Sequence, residues 1–370
     1  MSVRPGTAGR LRAAQDALQG AGLTALLLSP GSDLRYLTGY EALALERLTC
    51  LVVPAAGQVM IVVPRLEAES AADSGLPSAG VEIHTWEEDE DPFGMVAALL
   101  PSTGNVAVND RMWAAHSLAL REAMPNVAQR PAGPLLNVFR AVKTEEEVAA
   151  LTDAGEAIDT VHAQVEGFLR VGRSELEVGA DINATILRVG HASADFCIVA
   201  SGPNAARPHH SLSDRRLAAG DAVVVDIGGT MPSGYCSDCT RTYVMGAASD
   251  AFRDAYRVLQ DAQQAACEAV GEGVTAAAVD AAARDPITAA GYGECFTHRT
   301  GHGIGLETHE TPYVASDNDQ RLVAGMVFSV EPGIYVPGEF GARLEDIVAC
   351  TGSGHRRLNH RPRDLAVVDV

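Results

Sequence analysis

Ala222-Val-Val-Val-Asp226-Ile-Gly-Gly-Thr230, then Met231-Pro-Ser-Gly234, then Tyr235-Cys-Ser-Asp238-Cys-Thr-Arg-Thr-Tyr-Val244 is the stretch on which the fold turns. The first run reads as an apolar strand ending in a carboxylate and a glycine turn. The last reads as a second strand, and Pro232 and Gly234 between them predict an antiparallel hairpin. On adjacent strands the two aspartates can converge on one ion. Each also has a structural reading, Asp226 as a turn cap and Asp238 as a solvated strand residue. Cys236 and Cys239 form a C-x-x-C, but positions 236 and 239 of a strand point to opposite faces. They read as buried small hydrophobes rather than as a redox or zinc pair.

Working outward, Gly172-Arg-Ser-Glu-Leu-Glu-Val opens a helix ending near Gly190, and Gly273-Val-Thr-Ala-Ala-Ala-Val opens another ending near Gly291. Each unit is followed by strand-like segments carrying acids, so a pseudo-symmetric domain of duplicated halves is expected, with a site at its centre. Pro286 should shorten or kink the second helix. Upstream, Thr144 ahead of Glu147 is a capping pattern for a long helix with apolar positions Val148, Leu151, Ile158 and Val161. Residues 8 to 23 read as a helix stopped by Gly20 and Gly22. Strands are expected at Ala25–Leu28, Leu48–Val53, Val59–Val63 and Val106–Val108, with helices near Phe93–Leu100 and Ala114–Ala123. These make a small α/β domain with a mixed sheet over 1–137, followed by a second domain over 138–370.

That second domain holds further candidate ligands. Thr297-His298-Arg-Thr-Gly-His302-Gly-Ile-Gly-Leu-Glu-Thr-His309-Glu gathers three histidines, with glycines beside His302 that let the backbone approach a ligand. Met326-Val-Phe-Ser-Val-Glu331-Pro puts a glutamate in an apolar strand, where an unpaired charge is costly, and Pro332 marks the strand end. In Gly341-Ala-Arg343-Leu-Glu345 the period of two sets Arg343 and Glu345 on one face; a salt-bridged pair is the structural alternative. Asp226, Asp238, Glu331, Glu345 and a neutral His302 carry about four negative charges, which two divalent cations would neutralise. Oxygen ligands with one nitrogen favour Mn, Fe, Co or Zn. Two ions bridged by hydroxide provide a nucleophile at neutral pH, so hydrolysis is the expected chemistry.

Composition narrows the context. The 370 residues fit two domains, and 47% hydrophobic with 21% charged residues is the balance of a soluble globular chain. A formal charge of -20 repels phosphate backbones and anionic membranes, so neither nucleic acid nor membrane is an expected partner. No signal peptide is read in the opening residues and no stretch approaches the ~20 apolar residues of a membrane span. Seven dispersed cysteines do not suggest a disulfide framework, which points to the cytoplasm.

With these motifs the chain resembles the creatinase, prolidase and methionine aminopeptidase superfamily of the pita-bread fold, and within it the Xaa-Pro dipeptidase and aminopeptidase P branch. The resemblance covers most of the chain. It implies an α/β two-domain protein, a small creatinase-like N-terminal α/β domain followed by a pseudo-symmetric α+β pita-bread catalytic domain. Motif by motif, it implies that Asp226 chelates one metal, that His302 and Glu331 chelate the other, and that Asp238 and Glu345 bridge both. Glu331 would also be the general base. His209, in Arg207-Pro-His-His-Ser-Leu-Ser-Asp, would sit beside the substrate, with His210 as its immediate neighbour. His309 would contact the scissile peptide or the tetrahedral intermediate, and His298 and Arg343 fall at substrate-contact or supporting positions. The implied cofactor is a pair of divalent ions, manganese first, with Co, Zn or Fe as alternatives. The implied substrates are short proline-containing peptides, above all Xaa-Pro dipeptides, and the implied assembly is a homodimer across which Tyr36, Tyr40 and Arg47 could reach. Aminopeptidase P activity on longer peptides, creatinase-like hydrolysis of a small C–N bond and a catalytically silent binding homologue are the competing readings. The sequence departs from the pattern at one point: the two aspartates are twelve apart where the family hairpin has eleven. The longer turn, Met231–Gly234, is expected to alter the rim of the site and to spare the ligand directions.

Overall fold

The computed structural model of the chain describes residues 6–370; residues 1–5, part of the opening read for a leader peptide, lie outside the described residues. Two compact units divide at Arg140/Ala141. The division expected at 137/138 falls inside the helix Gly133–Ala141.

In the first unit one mixed six-stranded sheet runs in the order Val81–Trp86, Val59–Pro64, Cys50–Pro54, Ala25–Leu28, Gly104–Val108, Val127–Pro131. Ala25–Leu28 is buried at every position, as a central strand covered on both faces must be. It pairs antiparallel with Cys50–Pro54 and parallel with Gly104–Val108. The flanking helices include Thr7–Gly20 and Ala114–Ala123.

The second unit begins with the helix Glu145–Phe168. Thr144 accepts from Glu147 N while the Glu147 carboxylate accepts from Thr144 N, so both sides of the expected capping box form. The duplicated plan follows. Helices Glu175–Arg188 and Ala276–Ala289 are each 14 residues long, and each is preceded by a positive-φ glycine, Gly172 or Gly273. Pro286 lies within the second helix and does not shorten it. Its lost donor falls in the last turn, while buried Val279, Ala283 and Ile287 hold the helix against the core. Each helix leads to a sheet built of antiparallel neighbours, except that the first carries Ala366–Val368 parallel at its edge. One has the order Ala366–Val368, Cys236–Met245, Ala222–Thr230, Ser193–Ser201, and the other Glu310–Val314, Gly301–Gly303, Val327–Val330, Asp346–Thr351, Gly354–Arg357. A two-stranded ribbon, Gly333–Val336 with Phe340–Arg343, completes the unit.

The hairpin expected around Asp226 and Asp238 is present, but its first strand does not stop at Asp226. Ala222–Thr230 runs on through Gly228 and Gly229. A Cβ at Gly228 would lie 2.4 Å from the Phe196 ring and from Ser237 O, so this glycine serves close approach within the sheet rather than a turn. Cys236 and Cys239 pack into separate apolar clusters, as their opposite faces require, and all seven cysteines are free.

Candidate metal centre

Register explains how the two aspartates meet. Asp226 lies opposite Thr240 and Gly228 lies opposite Asp238, so all four share one face of the sheet. The second half repeats the arrangement: Val330 pairs with Asp346 and Gly333 with Arg343, leaving Glu331 and Glu345 facing each other between strand and ribbon. The halves are joined at this point, where Thr240 O accepts from Glu345 N at 3.2 Å and Thr240 Oγ1 donates to Glu345 Oε2 at 2.8 Å.

His302 reaches the acids from Gly301–Gly303. Its Nδ1 lies 3.2 Å from Gly303 O, and because a carbonyl can only accept, the ring proton sits on Nδ1. Nε2 therefore faces Glu331 Oε1 at 3.1 Å and Asp238 Oδ2 at 3.6 Å. Ser329 Oγ accepts from His302 N at 3.0 Å and donates to Glu331 Oε1 at 3.1 Å, which fixes both groups. The His309 ring meets His302 edge-on with centroids 4.1 Å apart.

Arg343 does not pair with Glu345. Its NH2 donates to Asp226 Oδ2 at 2.5 Å, its NH1 to Tyr335 OH at 2.7 Å and to Pro208 O at 3.2 Å, and its Nε to Thr240 Oγ1 at 3.2 Å. Most of its donors are used within the protein, so it supports the site more than it offers a hand to substrate. His298 is similarly engaged. Its Nδ1 donates to Arg299 O at 2.7 Å, so Nε2 accepts from Tyr335 OH at 2.9 Å.

The electrostatics are those of a cavity short of positive charge. Burial, then the charges of Glu345, Asp226 and Glu331, hold Asp238 well above the usual carboxylate range, and burial with Glu331 and Asp226 does the same to Glu345. Glu331 goes the other way. Burial opposes its ionisation, but when the imidazoles are protonated the hydrogen bond from His302 and the charges of His302, His298 and Arg343 outweigh burial and pull it down to about 2. Burial, reinforced by His302 and Arg299, depresses His309 to about 4, and it stays neutral at neutral pH. Among the described residues, two carboxylate oxygens are buried without a hydrogen-bond partner, Asp226 Oδ1 and Glu345 Oε1, and both belong to this cluster. An orphaned anionic oxygen is costly, and ligand atoms of Asp238, His302 and Glu345 lie within 4.8 Å of one another. The donor set therefore fits divalent cations.

All the sequence-derived site residues, Asp226, Asp238, His302, Glu331, Glu345, His209, His210, His298, His309 and Arg343, line one cavity of about 730 Å³. Phe196, Ile198, Pro208, Arg299 and Thr308 complete the lining and were not singled out from sequence. Phe196 and Ile198 follow the period of two along Ser193–Ser201, a signal visible only once that strand's neighbour is known. No residue of the turn Met231–Gly234 lines the cavity, and Tyr235, just beyond it, donates to Glu147 Oε1 at 2.9 Å. His210 turns its Nε2 to Glu175 at 2.7 Å.

Residues 149–352 match metallopeptidase family M24, and residues 10–142 match the creatinase/prolidase N-terminal domain. The chain is 50% identical over 362 residues to a probable dipeptidase PepE of Mycobacterium tuberculosis, covering 98% of this chain and 96% of that protein. It is 36% identical to an Xaa-Pro dipeptidase of Lactobacillus helveticus, covering 90% and 92% respectively. The crystal structure of dipeptidase PepE from Mycobacterium ulcerans superposes with a TM-score of 0.95 at 51% identity over 98% of each chain. No helix among the described residues is long and apolar enough to cross a membrane. With acids and a histidine gathered in one buried cavity and both domains matched, this chain belongs to metallopeptidase family M24, in its dipeptidase and prolidase group, whose members work with divalent metal ions.

Proposed function

We propose that the protein is a dinuclear Xaa-Pro dipeptidase, a cytoplasmic homodimer that frees proline from short peptides. The observation carrying this reading is the pair of orphaned carboxylate oxygens, one from each half of the domain, in a cluster of four acids and one imidazole. Asp226, Asp238, His302, Glu331 and Glu345 would hold two divalent ions, manganese being the first candidate. Bound there, the ions would supply Lewis acidity toward a peptide carbonyl and lower the pKa of water. Glu331, kept ionised beside His302, takes the proton of the attacking water. His309, neutral and exposed at the cavity, donates a hydrogen bond to the developing oxyanion. His209 flanks the substrate, and Arg343 keeps Asp226 aimed inward. Phe196, Ile198 and Pro208 offer the apolar wall that a prolyl ring or its neighbour would pack on. The prolyl specificity is supported by the relative named Xaa-Pro dipeptidase.

The test is a cleavage series with manganese-loaded protein, from Xaa-Pro dipeptides to Xaa-Pro-Yaa tripeptides and proline-free dipeptides. Fastest release of proline from the Xaa-Pro dipeptides is expected. Cleavage of none of the Xaa-Pro substrates would sink the proposal, and equal cleavage of proline-free dipeptides would reduce it to a general dipeptidase.

A further inference from the structure

His209 is exposed and sits on the long connection from Ser193–Ser201 to Ala222–Thr230, whose only helical piece is the 3-10 turn Gly202–Ala206. A histidine so placed takes its position from the backbone beneath it. That backbone is gathered by one carboxylate. Glu175, fully buried in the first turn of the helix Glu175–Arg188, accepts at Oε1 from Ser201 N at 2.8 Å, from Ser201 Oγ at 2.7 Å and from Asn204 Nδ2 at 3.1 Å. Its Oε2 accepts from Ser213 Oγ at 2.5 Å and meets His210 Nε2 at 2.7 Å. Ser201, Asn204, His210 and Ser213, spread over the first part of the connection, are thus tied to a single side chain. Main-chain bonds from Glu175 N to Arg215 O and from Leu176 N to Ser213 O extend the tie, and the helix N-terminus favours the negative charge. From the opposite side Arg343 holds Pro208 O.

We infer that Glu175 is a positioning residue that sets Pro208 and His209 in the cavity, and that His210 is a strut of this brace rather than a substrate contact. Glu175 itself is not among the cavity-lining residues, so its removal acts on the reaction only through the loop. Glutamine at 175 preserves the brace: its oxygen accepts from Ser201, while its amide donates to Ser213 Oγ and to His210 Nε2 in the other tautomer. Alanine leaves the loop's donors without an acceptor.

The effect on turnover rests on the proposed peptidase activity; the effect on the loop does not. The test compares wild type, Glu175→Ala, Glu175→Gln and His210→Ala as manganese-loaded full-length proteins. It records amide hydrogen exchange of residues 201–213, bound manganese, and kcat and KM on an Xaa-Pro dipeptide. For Glu175→Ala the expected result is faster exchange confined to 201–213, unchanged bound manganese and a kcat lower by roughly 10- to 100-fold, as misplacing a substrate-contacting group gives. Glu175→Gln is expected to restore both exchange and kcat, and His210→Ala to fall between. Wild-type exchange at 201–213 in Glu175→Ala would overturn the inference, as would Glu175→Gln failing as badly as alanine with exchange raised across the whole domain. If Glu175→Ala does not fold, His210→Ala decides: faster local exchange supports the brace and wild-type exchange refutes it. Should wild type cleave no Xaa-Pro dipeptide, the functional proposal fails alone and the exchange result still judges the brace.

Discussion

In the first half of the catalytic unit, Gly172 N donates to Leu217 O, Gly220 N to Met245 O, and Val225 pairs with Arg241; in the second, Gly273 N donates to Leu322 O, Gly325 N to Cys350 O, and Val330 pairs with Asp346. The sequence offset from Leu217 to Leu322 is the same as from Asp226 to Glu331 and from Arg241 to Asp346. Both halves are therefore one hairpin in one register, and both put an acid at the same place, Asp226 or Glu331. The differences lie opposite. Asp238 corresponds to Arg343 and Thr240 to Glu345, so each half supplies its second acid from a different position. The second hairpin also breaks at Pro332 and peels into a separate ribbon, whereas the first stays within its sheet. Repetition brings the acids together, and divergence makes the centre asymmetric, with Arg343 against Asp226 and His302 against Glu331.

The comparison breaks most sharply at its equivalent acids. In the proposed mechanism Glu331→Gln removes a ligand and the base together, and a loss of roughly 10²- to 10⁴-fold in kcat is expected. Asp226→Asn, at the matching position, keeps the base and should chiefly weaken metal binding. Metal titrations and kcat on both variants check this, and equal kcat losses at saturating metal would erase the assigned asymmetry.

Next comes the ion pair that joins the halves. Arg241 is buried, donates to Asp346 Oδ1 at 2.6 Å and also holds Glu345 O at 2.6 Å. Arg241→Ala leaves a buried carboxylate short of its main partner, a cost of about 3 kcal/mol, moderated by Arg357 at 3.6 Å from Asp346. Urea titration would show it, and a near-wild-type midpoint would mean the halves are held mainly by apolar packing.

A pH effect is expected from the first half. His162 is buried between Tyr243 OH at 3.0 Å and Cys239 O at 3.1 Å. Burial, then the charge of Arg241, pushes its pKa down from 6.5 to about 3. The unfolded chain therefore binds this proton before the folded one does. Stability from the neutral ring is full above about pH 6.5 and is lost as pH falls from there toward 3. Melting temperatures of wild type and His162→Gln from pH 7.5 to 4.5 should converge as pH falls; a constant gap would show that His162 titrates alike in the folded and unfolded chains.

The smallest contrast is at the helix starts. Ser174 has a complete capping box with Glu177, while Thr275 has only its accepted bond from Ala278 N. Ser174→Ala should cost about 1 kcal/mol and Thr275→Ala about 0.5 kcal/mol. Thermal unfolding resolves the order, and a reversed order would assign no value to the box.

Much of this was legible because its signals are local. The Thr144 cap, the apolar strand before Asp226, Pro332 after Glu331 and the matching glycines around both helices all act within a few residues. Gly228 after Asp226 has the local signature of a turn, yet the reason for that glycine is Phe196 on another strand. Arg343 was placed beside Glu345 by periodicity, but a long guanidinium reaches across the sheet to Asp226. Glu175, Tyr335 and Arg241 carry no local signal for the same reason. Their partners are distant in sequence, and no periodic pattern carries a hydrogen bond between Thr240 and Glu345.

Counting the manganese ions bound per chain, by calorimetric titration of metal-free protein, bears most directly on a centre built from both halves. Two ions per chain are expected, with proline release abolished by chelation and restored as the second ion binds. One ion or fewer, with turnover indifferent to chelator, would contradict it.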